Sequence, residues 1–182
     1  MRVSLEKHSR NRAVSVLLRK PEATDAVRVS DLVASCPPLD QNSMYCNLLQ
    51  CTDFSDTCIL AEMDGEAVGW ISGYRSPNEP ATLFIWQVAV HERSRGLGLA
   101  RRMLLELLGR ESGDGVSYLK TTITPDNDAS RSLFRSFAAR TAAPLRETAG
   151  FDAQEHFDGR HASERLITIG PLRPVRNAQP VA

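Results

Sequence analysis

An apolar run from Leu83 to Val90 leads into Arg93-Ser94-Arg95-Gly96-Leu97-Gly98, and an amphipathic helical pattern starts at once. No other stretch restricts the fold so tightly. Leu97, Ala100, Met103, Leu104, Leu107 and Leu108 form one apolar stripe within Leu97–Arg110, with Arg101, Arg102, Glu106 and Arg110 facing away. The first N–H groups of a helix lack intrahelical partners and stand at the positive end of its dipole. Two glycines before them let the backbone turn and pass close to a ligand. A diphosphate is what such a junction binds well. A plain strand–turn–helix with a charged loop is the structural alternative. A dinucleotide fingerprint needs a third glycine where Arg101 stands, and the lysine of a Walker loop is absent.

The remaining pattern alternates between strands and helices. Val14 to Leu18 reads as a short strand, and Thr24 is placed to cap a helix with Ala26, Val29, Leu32 and Val33 on its apolar face. A second helix covers Ser43 to Cys51, with Met44, Asn47, Leu48 and Cys51 sharing a face. Cys58–Ala61 and Val68–Ile71 flank Asp64-Gly65, a strong hairpin signal. The strand Leu83–Val90 follows a loop containing Pro77 and Pro80. Tyr118–Ile123 reads as a strand, Asp126–Arg140 as a helix, and Gly150-Phe151 with Leu166–Ile169 as closing strands. The reading is an α/β fold with helices on both faces of a mixed sheet. It forms one domain over 14–170, between a polar arm at 1–13 and a Pro-bearing tail at 171–182.

Lys plus Arg and Asp plus Glu are equal at 22 each, so no net field draws nucleic acid or an anionic membrane. No apolar run approaches the roughly 20 residues that span a bilayer, and Met1 to Asn11 has no apolar leader core. Cys36, Cys46, Cys51 and Cys58 lack zinc-ligand spacing. Reduced thiols in a cytoplasmic protein without a metal are the expectation.

Val88-Ala89-Val90 through Arg93-Ser94-Arg95-Gly96-Leu97-Gly98-Leu99-Ala100 resembles the acetyl-CoA pyrophosphate motif of the GNAT superfamily of N-acetyltransferases. Thr124-Pro125-Asp126-Asn127 to Phe134 resembles that superfamily's second segment. A narrower resemblance, to the L-2,4-diaminobutyrate acetyltransferases of ectoine biosynthesis, rests on Leu39–Tyr45, Leu48–Cys51, Phe54–Cys58, Val68–Arg75, Leu83–Val90 and Phe157–Glu164. The resemblance implies the GNAT fold, with a mostly antiparallel twisted sheet, acetyl-CoA as cosubstrate, a homodimer and acetylation of the side-chain amine of diaminobutyrate. It also implies that Val88 and Val90 offer backbone groups to the cofactor arm, one N–H facing the thioester carbonyl. Arg95, Gly96, Leu97, Gly98, Leu99 and Ala100 would hold the pyrophosphate, and Asn127 would reach the CoA arm.

An aliphatic amine is almost wholly protonated at neutral pH, so the site needs a base, a grip on the amine and a donor for the oxyanion. The donor expected is the N–H near Val88, with direct attack on the thioester. Asp40 can pair with a cationic amine and Tyr45 can close the pocket; a helix cap or Asx-turn is the structural alternative for Asp40. Trp86 is a pocket wall or a core aromatic. Glu164 and His161 are the candidates for the base, with His156 nearby as a substrate contact. A base can act directly or through water. Phe134 stands where many GNAT enzymes carry a tyrosine that protonates the leaving thiolate, which leaves the general acid unassigned. Trp70, Tyr74 and the last strand are the apolar surface candidates for self-association. Acetylation of another small amine, and a non-catalytic acetyl-CoA-binding module, are the competing functions.

Overall fold

In the computed structural model, which describes residues 15–173, the chain begins with β1 (Val16–Arg19), a 3-10 turn (Ala23–Asp25), α1 (Ala26–Ala34) and α2 (Met44–Cys51). A meander follows, β2 (Ile59–Met63), β3 (Glu66–Ser76) and β4 (Glu79–Val90), and then α3 (Leu99–Gly109). The chain closes with β5 (Tyr118–Ile123), α4 (Asp128–Arg140), β6 (Leu145–Ala149) and β7 (Arg165–Ile169). The expected arm at 1–13 and residues 174–182 of the expected tail lie outside the described residues. No helix among the described residues is long and apolar enough to cross a membrane.

The seven strands make one sheet in the order β1-β2-β3-β4-β5-β7-β6. Every neighbouring pair is antiparallel except β4 and β5. On one face, Ile71, Leu83, Ile85, Leu119 and Ile167 meet Met103, Leu107 and Phe137 of α3 and α4. On the other, Leu60, Trp70 and Ala89 meet Val29 and Leu32 of α1 and Cys51 of α2.

Strand boundaries and faces depart from the sequence reading in several places, and β3 is the longest extension, Glu66–Ser76 against the expected Val68–Ile71. β4 starts at Glu79 rather than Leu83, because Pro80 sits at the strand's entry, where a missing N–H costs no central ladder bond. The strand expected at Gly150-Phe151 ends one residue earlier, as β6. On α2 the buried residues are Asn47, Gln50 and Cys51, while Met44 is exposed. Trp70, taken as a surface aromatic, is fully buried, and Tyr74 is half-buried.

The first helix begins differently from the expectation as well. Glu22 N–H donates to Asp25 Oδ2 at 2.8 Å, so Asp25 and not Thr24 organises the turn into α1. Asp25 is also the centre of a charge network. The Arg19 guanidinium makes paired bonds to Asp25 (2.7 and 2.8 Å) and to Glu62 (2.8 and 3.0 Å). Arg28 adds bonds at 2.9 Å to Asp25 and 2.7 Å to Glu62. These ties fasten β1, α1 and β2 together. Hydrogen bonds from Arg19 hold both carboxyls below the usual carboxylate range. A depressed folded pKa contributes stability above the unfolded value, about 4, which is lost as pH falls through the folded value. The thermal midpoint is therefore expected to fall on acidification below about pH 4. Melting curves from pH 3 to pH 7 check this; Arg19→Met should flatten that limb, and an unchanged limb would remove the network as its source.

Two of the register shifts in the sheet bear on the site. Along β3 and β4, Ser72 faces Gln87 and Gly73 faces Ile85, so Trp86 has no partner. Leu83 and Ile85 point to the α3 side before it, and Val88 and Val90 pack on that same side after it. An extra residue changes the parity of the pleat in this way. A second irregularity, between Ala61 and Glu62 of β2, leaves Val68 of β3 unpaired. β4 and β5 pair only through Thr82–Phe84 and Tyr118–Lys120. Beyond those residues β4 keeps β3 and β5 keeps β7, and the two strands diverge.

Candidate active site

The divergence of β4 and β5 opens toward the two glycines that precede α3. Gly96 has φ +75° and open space where a Cβ would stand, and Gly98, at +69°, is the N-cap of the helix. Arg102 N–H reaches back to Gly98 O at 3.1 Å, so the amides before it have no earlier turn to bond. Arg95 Nε donates to Val90 O at 3.0 Å and ties the loop to the end of β4. The side chain of Leu99 is buried in the core and that of Leu97 is two-thirds exposed, so a ligand here meets backbone at Leu99 and Ala100. Val88 and Val90 likewise commit their side chains to the core face. Asn127 caps α4, Oδ1 accepting from Ser130 N–H at 3.0 Å, which leaves its amide nitrogen as the end able to donate to a ligand.

These groups fit the pyrophosphate and arm of acetyl-CoA. The donors are backbone amides at the start of an eleven-residue helix, the cradle is open at Gly96, and the edge of β4 that faces β5 is unpaired past Phe84.

Two loops bring the acidic and imidazole groups to the other face of the opening. Asp40 lies between α1 and α2, on a segment held against β4 by Gln87, whose Nε2 donates to Asp40 O at 2.8 Å. Gln87 Oε1 accepts from Asn42 Nδ2 at 3.2 Å. His161 and Glu164 come from the loop joining β6 to β7. Gly150 N–H donates to Glu164 O at 3.1 Å and Glu164 N–H to Phe151 O at 2.7 Å, extending the strand pairing past β6. Only glycine fits position 150, since a Cβ there would stand 2.5 Å from Glu164 O. Ala153 N–H to Ser163 Oγ (2.9 Å) and Gly159 N–H to Ala153 O (2.7 Å) tighten the loop. Its rings touch in series: Phe151 edge-on to His156 (5.5 Å), Phe151 edge-on to Phe157 (6.2 Å) and Phe157 tilted on His161 (4.8 Å).

The result is a three-membered group. His161 Nε2 stands 3.6 Å from Asp40 Oδ2. Its Nδ1 lies 2.7 Å from Ala162 O, which can only accept, so Nδ1 carries a proton. A neutral ring would then turn the Nε2 lone pair toward a carboxylate. That carbonyl contact, with the charges of Glu164 and Asp40, raises the His161 pKa and favours the imidazolium. Burial raises the Glu164 carboxyl above the usual carboxylate range; His161 and the Thr122 hydroxyl on β5 pull the other way. Glu164 Oε2 is buried without a hydrogen-bond partner among the described residues.

The other candidates take separate places. Trp86 is half exposed at its bulge, edge-on to Tyr74 at 6.5 Å. Tyr45 is 68% exposed in the first turn of α2. His156 Nδ1 accepts from Asp152 N–H at 2.9 Å, and its ring reaches His161 only through Phe151 and Phe157. Phe134 is buried in the core with Ile123 and Ile167. Burial pushes the Cys51 thiol up to about 11 and the Cys58 thiol up to about 12, so neither is a thiolate at neutral pH. No group of three or more His, Cys, Asp or Glu among the described residues is arranged to hold a metal ion. Gln87 and Thr122 were not singled out from sequence; a lone amide in an apolar strand was the available signal for the first.

The acetyltransferase (GNAT) family model matches residues 26–138. A Methylotuvimicrobium alcaliphilum protein named L-2,4-diaminobutyric acid acetyltransferase is 45% identical over 161 residues, 88% of this chain and 94% of that one. The Vibrio parahaemolyticus protein of the same name is 48% identical over 157 residues, 86% of each chain. Among solved structures, the Paenibacillus lautus diaminobutyrate acetyltransferase EctA, in complex with its substrate L-2,4-diaminobutyric acid and coenzyme A, matches with a TM-score of 0.83. Identity there is 43%, over 87% of this chain and 96% of that one. Ard1 from Thermoplasma volcanium shares the fold, with a TM-score of 0.71 at 16% identity over 88% of this chain and 100% of that one. The chain belongs to the acetyltransferase (GNAT) family and, within it, to the L-2,4-diaminobutyric acid acetyltransferases.

Proposed function

We propose that this protein transfers the acetyl group of acetyl-CoA to the side-chain (γ) amine of L-2,4-diaminobutyrate, giving N4-acetyl-2,4-diaminobutyrate. The observation that carries the reading is the Asp40–His161 pair beside the raised Glu164 carboxyl, at the divergence of β4 and β5. The substrate bears two amines and one carboxylate, and this group has an answer for each. Asp40 pairs with the ammonium that does not react. The His161 imidazolium faces the carboxylate. Glu164 takes the proton of the reacting amine, directly or through a water. The solved relative named above was crystallised with both diaminobutyric acid and coenzyme A, which supports the same pairing of substrates here.

Only about one part in 10³ of an amine with a lysine-like pKa is neutral at pH 7, so proton removal is the first task. A carboxylate raised by burial is a better proton acceptor than a solvated one. The neutral amine then attacks the thioester carbonyl directly, and the Val88 N–H stabilises the oxyanion. Val90 and the Asn127 amide hold the CoA arm; Arg95, Gly96, Leu97, Gly98, Leu99 and Ala100 surround the pyrophosphate. Trp86 and Tyr45 wall the amine pocket. Phe134 has no proton to give, so the thiol leaves as its anion or is protonated by solvent. The product would feed the cyclisation that makes ectoine, in the cytoplasm, and the enzyme works as a homodimer.

The test is to incubate the purified protein with acetyl-CoA and L-2,4-diaminobutyrate, follow thiol release and locate the acetyl group by NMR. Acetylation at the side-chain nitrogen supports the reading. Acetyl-CoA binding with turnover of a different amine, or of none, would overturn it. Asp40→Ala is expected to raise the diaminobutyrate KM far more than the acetyl-CoA KM, by roughly 10–100-fold for loss of a charge-assisted contact. Equal rises in both would remove Asp40 from the amine subsite.

A further inference from the structure

Residues 40–42 make no backbone–backbone hydrogen bond among the described residues, and Asp40 is exposed. What holds this segment near β4 is the Gln87 amide, whose two ends are both in use: Nε2 on the Asp40 carbonyl and Oε1 on the Asn42 side chain. Asp40 O accepts only, so the orientation of the amide is fixed by the pair. Gln87 is also the residue directly before Val88 and directly after the unpaired Trp86. Before the bulge, odd-numbered residues of β4 face the α3 core; because of it, Gln87 faces the same side as its partner Ser72, away from that core.

We infer that Gln87 is a positioning residue: it ties the strand that receives the acetyl donor to the loop that grips the amine. This rests on the function proposed above. The side chain acts through Asp40 and not on either substrate. It sets how far the Asp40 carboxylate stands from the Val88 N–H, and so whether an amine held by Asp40 meets the thioester at the right distance. An error of an ångström at that distance is costly to rate and to apparent affinity. Asn42 is the second half of the clamp. A residue that serves β4 merely as structure would affect both substrates alike.

The test uses the full-length enzyme with Gln87→Leu, Asn42→Ala, Asp40→Ala and the Gln87→Leu/Asp40→Ala double variant. Gln87→Leu is expected to raise the diaminobutyrate KM by roughly tenfold, with acetyl-CoA KM unchanged within about twofold. Asn42→Ala, on a surface loop, gives a smaller rise with the same split and guards against misfolding of the strand variant. If Gln87 acts through Asp40, the double variant is no worse than Asp40→Ala alone. Limited proteolysis cuts faster within residues 39–43 in Gln87→Leu, while β5 and α4 stay resistant. Additive effects, matched rises in both KM values or unchanged cutting over 39–43 would each overturn the clamp. A wild-type protein inactive on diaminobutyrate defeats the proposed function instead, and the proteolysis comparison still decides whether Gln87 fastens the loop.

Discussion

Glu164→Gln is expected to lower kcat by about 10²–10⁴-fold, the usual contribution of a positioned general base, while acetyl-CoA still binds. The substitution is nearly isosteric, and the backbone bonds of residue 164 to Gly150 and Phe151 do not involve the side chain. What disappears is the proton acceptor. In the proposed mechanism Glu164 works as the carboxylate, so activity is present above its pKa and is lost as pH falls through it. Burial has raised that pKa, so the loss begins at a higher pH than for a solvated glutamate. Wild-type kcat should therefore show an acidic limb above the ordinary carboxylate range, and the Gln variant should lack it. Thiol release measured across the pH range, with acetyl-CoA affinity measured separately, checks both statements. A Gln variant within a few-fold of wild type would transfer the role to His161 or to solvent.

The second large effect concerns the frame behind the site. Trp70→Ala is expected to cost about 3–5 kcal/mol, as removal of a fully buried large aromatic does. Trp70 is 0% exposed and joins β3 to the apolar sides of α1 and α2. A chain of this size loses about 2–4 °C of Tm per kcal/mol, so a fall on the order of 10 °C is expected. Trp70→Phe should cost much less. It keeps most of the ring and removes an indole N–H that is buried without a partner among the described residues. Thermal melts of the two variants side by side decide it; equal losses would mean that the helices pack on the full two-ring indole shape and that a single ring does not replace it.

Local physics made the candidate cofactor half of the site legible from the chain alone. Gly96, Gly98 and the stripe of α3 lie within a few residues of one another, and short spacing reveals both the turn the glycines make and the face the helix buries. The amine half is different. Asp40, His161 and Glu164 meet only because one loop is fastened to β4 and another is folded on its own aromatic rings. Their residue types suggested roles, but spacing could not supply the 3.6 Å approach of His161 to Asp40. On α2, Asn47 and Cys51 lie on the buried face as read, but Gln50 joins them in place of Met44, because a hydrophobicity pattern reads a glutamine as solvent-facing and a methionine as core. β6 was nearly invisible because, as an edge strand, it exposes four of its five residues; Leu145 alone packs on the core, and Glu147 adds ties to Arg131 and Arg165.

The unpaired Trp86 acts on β4 as a frameshift acts on a message. Everything downstream of it is read in the other phase: Gln87 goes to the amine side, and Val88 and Val90 go to the core side. Losing or gaining one residue in this strand would not be a local injury. It would send the amide of Gln87 inward and two valines outward, and the cost would fall on the core and both substrate subsites together. β4 should therefore tolerate substitution far better than any change in its length.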